Sequence, residues 1–179
     1  AGERQLSGLE IRGGQLTTES IWDDTDIVHM IFDSIEVGNL HSTGGLRLFS
    51  RAEESLVVKL SGSGTAFSPT SGTGLTATGT IGDIDDRIGG TVQIIGMPGS
   101  PVVLTSLADD TVGAGLMPDG TAFLDTNGDS FASRPDTNDW RSILFDENSN
   151  YTNIEFILER ELKSEISPGL NGSVVTAQA

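Results

Sequence analysis

A chain of 179 residues fits one domain, and its net charge of −16 repels nucleic acid and anionic lipid while leaving divalent cations as natural partners. The absence of cysteine excludes disulfide staples and thiolate chemistry, and no apolar run approaches the roughly 20 residues that cross a bilayer as a helix. Glycine supplies 23 residues, well above its usual share of about 7%, and the apolar fraction is only 36%. That composition favours many short strands joined by tight turns.

The chain opens Ala1-Gly2-Glu3 rather than on Met, which reads as a processed product or a piece of a longer polypeptide. Short apolar runs then recur at 27–31, 35–37, 46–49, 56–60, 92–95, 102–104, 143–145 and 154–158, with the length and β-branched content of strands. Gly44-Gly45, Ser61-Gly62-Ser63-Gly64, Ser71-Gly72-Thr73-Gly74, Gly89-Gly90 and Met97-Pro98-Gly99-Ser100 cut these runs at frequent corners. Alternation in Ile35-Glu36-Val37 and Leu46-Arg47-Leu48 turns one face to a core and the other to water, which suits a sandwich or a solenoid. The segment 90–106 holds a strand, a sharp corner and a second strand within about 17 residues, the spacing of one short coil of a parallel β-helix. Near the end, 156–166 reads as a short helix and 153–162 equally as a strand. Two long polar stretches remain, 66–86 and 108–139, and the second is rich in Asp.

Within that acidic stretch, Asp125-Thr126-Asn127-Gly128-Asp129 places oxygen side chains at alternate positions, the spacing by which a tight loop wraps a hard cation such as calcium. Asp136 falls at the twelfth position of the same loop. The expected ligands of a Ca2+ ion are therefore Asp125, Asn127, Asp129 and Asp136, with Asp109, Asp110 and Asp139 as further oxygen donors. Ser130 stands where an EF-hand has its turn glycine, Asp136 replaces the bidentate Glu, and no helices flank the loop. A plain solvated Asp/Asn turn is the competing reading.

Catalytic readings find less footing. No G-x-S-x-G elbow is present, and Ser55, Ser106 and Ser142 have no base beside them in sequence. His29 lies in an apolar run where packing is the commoner role, and His41 has no cluster of further ligands around it. Trp22 and Trp140 each adjoin a strand and are expected in the core rather than on a sugar-binding surface. The pairs Glu53-Glu54, Asp85-Asp86 and Asp109-Asp110 supply carboxylates for glycoside chemistry only if the fold sets their separation. Arg87 and Arg141 are the only basic residues beside Asp clusters that would serve a polysaccharide lyase.

The stretches P-V-V-L-T-S-L-A-D-D-T-V-G-A-G, D-T-N-G-D-S, P-D-T-N-D-W-R-S-I-L-F and Y-T-N-I-E-F-I, with I-W-D-D-T-D-I-V-H and I-G-G-T-V-Q-I-I-G upstream, resemble the right-handed parallel β-helix regions of very large bacterial surface proteins. The resemblance spans about Leu9 to Arg160. The tail S-P-G-L-N-G-S-V-V-T-A-Q is similar to the opening of domains of the pre-peptidase C-terminal kind. It implies an all-β chain: a short right-handed parallel β-helix, or β-solenoid, with irregular acidic insertions over 1–162, and a linker or the start of a following segment over 163–179. A β-sandwich is the alternative fold. The implied role is an extracellular or cell-surface structural or adhesive module, non-enzymatic, partnered by further copies of itself or by other surface proteins, with carbohydrate as an additional partner. Nucleic-acid binding and membrane insertion are not expected. A carbohydrate-active, lyase-like β-helix and a monomeric calcium-dependent binding module are the rival functions.

Overall fold

The computed structural model describes residues 6–38, 45–62, 72–79, 86–150 and 152–154, and every regular element among them is a β-strand. The strands are β1 (Leu9–Ile11), β2 (Gly14–Leu16), β3 (Ser20–Trp22), β4 (His29–Ile31), β5 (Ile35–Val37), β6 (Gly45–Phe49), β7 (Leu56–Leu60), β8 (Gly74–Ala77), β9 (Asp86–Ile88), β10 (Thr91–Ile95), β11 (Val102–Ser106), β12 (Ser142–Phe145) and β13 (Thr152–Ile154). They form three sheets whose neighbours are all parallel: sheet I is β1-β4-β7-β11, sheet II is β2-β5-β8-β12, and sheet III is β3-β6-β10. Antiparallel pairing between strands, the habit of a β-sandwich, is confined among the described residues to β9 with β13.

The chain visits the sheets in the order I, II, III and repeats that cycle, leaving β9 aside. Each strand therefore pairs with the equivalent strand one circuit earlier and one later, as in a β-solenoid. The circuits are uneven: Leu9 pairs with His29 twenty residues on, His29 with Val58, and Leu56 with Val102 forty-six on. Corners absorb the difference. The link from sheet III to sheet I is six residues each time, 23–28, 50–55 and 96–101, whereas the link from sheet I to sheet II grows from two residues at 12–13 to thirty-five at 107–141. The segment 90–106, expected to be one coil, is instead two sides of a coil, since β10 and β11 belong to different sheets joined at the Met97–Ser100 turn.

The constant corner is stitched by hydroxyls. The Ser50 Oγ donates to the Ser100 carbonyl at 2.5 Å, the Ser100 Oγ to the Ala52 carbonyl at 3.1 Å, and the Met97 amide to the Ser50 Oγ at 2.8 Å. Both serines are buried, so these bonds satisfy groups that water does not reach. At the corner entering β10, a Cβ on Gly90 would lie 1.8 Å from the Val37 carbonyl oxygen, so only glycine allows the two circuits to approach so closely.

The core is built of stacked columns. Ile31 and Leu60, Ile35 and Leu75, Val37 and Ala77, and Leu46 and Val92 point inward from the three sheets and are buried almost completely. The polar stretch at 66–86 conceals β8, whose Leu75 and Ala77 belong to this core. Trp22 takes the core position expected of it, and Trp140 packs against the same cluster half-buried. The alternative helix or strand near 153–166 and the boundary at 162/163 lie outside the described residues, apart from Asn153 and Ile154 at the end of β13.

His29 occupies an inward position of β4, 2% exposed, with its ring stacked on Trp22 at 5.6 Å between centroids, and its Nδ1 has no hydrogen-bond partner among the described residues. Burial lowers its pKa, against the opposing pull of Asp24. The folded state thus resists a proton that the unfolded chain accepts near pH 6.5, so stability falls as pH drops below that value. The predicted outcome is a loss of melting temperature between about pH 7 and pH 5 that the variant His29→Leu lacks, measured by thermal melts across that range.

Candidate metal centre

The thirty-five-residue corner at 107–141 packs its first part back on the body, and its hairpin tip at 116–122 is exposed. Sheet I carries apolar residues on both faces: Leu56, Val58 and Leu60 of β7 face the core, while Val57, with Val28 and Met30, faces outward and is just as buried. Leu107, Val112, Ala114 and Phe32 pack on that outer face and form a second, smaller core. The corner is therefore a strap laid down the outside of sheet I. Its outgoing limb leaves β11, turns back through a hairpin closed by the Leu116–Ala122 bridge, and returns along 123–141. The return limb reaches the start of the fold, where the Ser7 amide donates to the Thr126 carbonyl at 3.0 Å.

Lys59 is the outward residue at the centre of this covered face and is fully buried. Its Nζ donates to the Leu124 carbonyl at 3.1 Å, tying β7 to the return limb. Burial lowers its pKa, while the nearby carboxylates of Asp110, Asp109 and Asp125 favour the charged form.

Two limbs bring three carboxylates together. Asp110 on the outgoing limb meets Asp125 and Asp129 on the return limb, one ligand oxygen from each lying within 4.8 Å of the others. The return loop is shaped by its own side chains: Asp125 accepts the amides of Asp129 at 3.0 Å and Ser130 at 2.8 Å, and the Asn127 Oδ1 accepts the Asp129 amide at 3.1 Å. Ser130 and Phe131 take left-handed backbone angles, φ 60° and 64°, and Gly128 φ 66°. Ser130 thus adopts, at a cost for a residue with a Cβ, the kind of conformation for which a turn glycine is suited.

Of the four ligands expected from sequence, Asp125 and Asp129 stand in this group. The Asn127 side chain instead braces the loop, its Nδ2 donating to Ser133 Oγ at 2.8 Å and to Asp129 Oδ2 at 3.2 Å. Asp136 is turned to its own backbone neighbourhood, its Oδ1 accepting the Thr137 amide at 2.7 Å, and it is not part of the group. Asp110, a secondary candidate in the sequence, is the third member. Asp109 accepts from Thr105 and Thr111, and Asp139 accepts from Ser106 and from the Asp136 amide. Proximity of Asp110 was legible only as one of several nearby Asp residues, because its place depends on how the strap folds back.

The electrostatics single out Asp110. Part of the residue is exposed, yet both carboxylate oxygens are wholly buried and accept no hydrogen bond among the described residues. Burial, together with Asp129 and Asp125, raises its pKa above the ordinary carboxylate value. Asp129 is held in the opposite direction by donors from Ser133, Ala132 and Asn127. An all-carboxylate set with unused lone pairs fits a hard cation that takes oxygen ligands, calcium above zinc.

Comparison with known protein families, with curated proteins and with solved structures finds no match to this chain.

Because the Asp110 pKa is raised, the folded state takes up a proton while the unfolded state is still ionised. Stability in chelator is accordingly lower above the folded pKa and improves as pH falls through it toward about 3.9. Asp110→Asn, which removes one of three like charges and turns an amide toward two carboxylates, is expected to stabilise the cation-free protein at pH 7 by roughly 1 kcal/mol or less and to erase that pH dependence. Denaturant melts at pH 7 and pH 4.5 check both effects.

Proposed function

We propose that this chain is a structural module of an extracellular or surface-displayed protein, a short right-handed parallel β-helix of the kind seen in very large bacterial surface proteins, whose acidic strap carries calcium. The observation that carries the structural reading is the repeated passage through three parallel sheets in register. Such a scaffold buries its apolar columns along an axis and, among the described residues, leaves strands with only one parallel neighbour at its two ends, here β1, β2 and β3 on one side and β10, β11 and β12 on the other. At the second end the inward-facing Ile94 and Phe145 are 41% and 50% exposed, unlike their column mates Leu48 and Ala77, which are wholly buried. Edges and an apolar end of this form favour contact with further copies of the chain or with other surface proteins, and self-association into a filament or layer follows from head-to-tail stacking.

The calcium half of the reading rests on Asp110, whose buried oxygens face Asp125 and Asp129. The lyase alternative is weakened by the position of Arg141, which donates to Ser34 Oγ at 3.0 Å and Thr76 Oγ1 at 2.7 Å and so bridges strands on sheet II. The side chain of its other candidate, Arg87, lies outside the described residues. We therefore assign a non-catalytic role.

Calcium at a hundredfold excess over its Kd is expected to raise stability by about 2.7 kcal/mol, which shifts the melt of a chain of this size by roughly 5–10 °C. Asp125→Ala combined with Asp129→Ala removes that shift and leaves the strand signature in circular dichroism intact. Size-exclusion chromatography of the same samples separates the assembly reading, which predicts species larger than one chain, from a monomeric calcium-binding module. A melt unmoved by calcium would refute the metal assignment.

A further inference from the structure

We propose that the first circuit of the stack, residues 6–22, is an acid-released end: protonation of His29 undoes the contact that anchors it and frees the edges of β4, β5 and β6.

The first circuit is the least buried part of the stack. Its strands β1, β2 and β3 are three residues each and have one parallel neighbour among the described residues. Ile11 and Leu16 pack half-buried on the core, and of residues 6–22 Trp22 alone is buried. Beyond the ladders, the amides of Ser7, Leu9 and Gly14 donate to the Thr126, Val28 and Ser34 carbonyls, and Glu19 pairs with Arg47 at 3.0 Å, open to solvent. Ion pairs of that kind hold weakly, and local opening of a stacked array starts at its terminal unit. Closure therefore turns on Trp22, whose ring lies on His29 of the second circuit, 16° from parallel.

His29 faces the core between Leu9 and Val58, its partners in register. It is 2% exposed, and its Nδ1 has no hydrogen-bond partner among the described residues. With the ring bonded to the Ile27 backbone through its other nitrogen, Nδ1 is the unprotonated acceptor of the neutral imidazole. A proton there makes it a buried, charged donor with nothing to accept it. Burial disfavours that form, and the charges of Asp24 and Asp23 on the 23–28 corner favour it without outweighing burial. Glu10 of β1 and Lys59 of β7 pair with Met30 on the opposite face, and β3 carries no charge.

Peeling the first circuit takes Leu9 and Trp22 off the ring and lets water reach Nδ1. The open form then accepts a proton near pH 6.5 while the closed form resists it, so acid favours opening. Between pH 7.5 and pH 5 the open population rises by up to about thirtyfold.

The chain has no cysteine, so a single introduced thiol reports alone. Val37→Cys lies beside Leu16 of β2 and Leu46→Cys beside Ser20 of β3, both at wholly buried positions. Maleimide labelling, read against the same variant unfolded in urea at each pH, reports the locally opened population free of the thiol's own titration. Both probes should label about ten- to thirtyfold faster at pH 5 than at pH 7.5, and adding His29→Leu should remove the difference. Leu75→Cys, in β8 between β5 and β12, reports opening of the whole fold and should label at least about tenfold more slowly than Val37→Cys at both pH values. Equal rates for Val37→Cys and Leu75→Cys would show that the circuit does not open on its own and would overturn the proposal. So would labelling of the two first-circuit probes that is flat or slower in acid, the result if the Trp22 face holds the imidazolium in place, or acceleration that survives His29→Leu.

Discussion

Everything in this fold depends on strands finding their hydrogen-bonding partners a full circuit away in the chain. No strand of sheets I to III pairs with its neighbour in sequence; β4 pairs with β1 and β7, β5 with β2 and β8, β6 with β3 and β10. A parallel ladder of this kind requires each circuit to present the same face at the same height, because a slip of one residue would turn a column such as Ile11, Ile31 and Leu60 from the core to the outside. The core columns enforce the register, and the corners are left to absorb every difference in length. That explains why thirty-five residues could be accommodated between β11 and β12 while those strands still stack on β7 and β8 without a break.

The same constraint accounts for the strap. A corner of that length carries many backbone polar groups and needs a surface to fold against. It finds one in the outer face of sheet I, where Val28, Met30 and Val57 would otherwise lie in water. Placing an acidic segment there brings carboxylates over Lys59, whose buried ammonium in turn requires the Leu124 carbonyl. Acidity, apolar cover and buried lysine are thus parts of one arrangement, and a cation at Asp110, Asp125 and Asp129 would complete its charge balance.

Much of the architecture was readable from residues alone. The runs at 35–37, 46–49, 56–60, 92–95 and 102–104 coincide with β5, β6, β7, β10 and most of β11, because short β-branched runs closed by Gly or Pro have few other structures to adopt. β8 was hidden inside a Ser, Thr and Gly-rich stretch, since a strand of Gly-Leu-Thr-Ala carries too little apolar signal to be seen without its stacking partners. The uninterrupted 56–60 run did hold a clue to the strap, as a strand apolar on both faces must be covered on both. For the candidate site, local spacing yielded Asp125 and Asp129, which lie in one tight loop. It could not separate Asp110 from Asp136, because that choice is made by where two distant limbs meet, not by spacing.

The in-register stacking of distant strands can be read from backbone nuclear Overhauser effects in isotopically labelled protein. Glu10, Met30, Lys59 and Thr105 form one row across sheet I. Sequential inter-strand contacts are expected along that row, from β1 to β4 to β7 to β11, with the amide-to-Hα pattern of parallel pairing and none of the close Hα–Hα contacts of antiparallel strands. Strong Hα–Hα contacts between strands adjacent in sequence, such as β4 with β5 or β10 with β11, would contradict it and restore the β-sandwich.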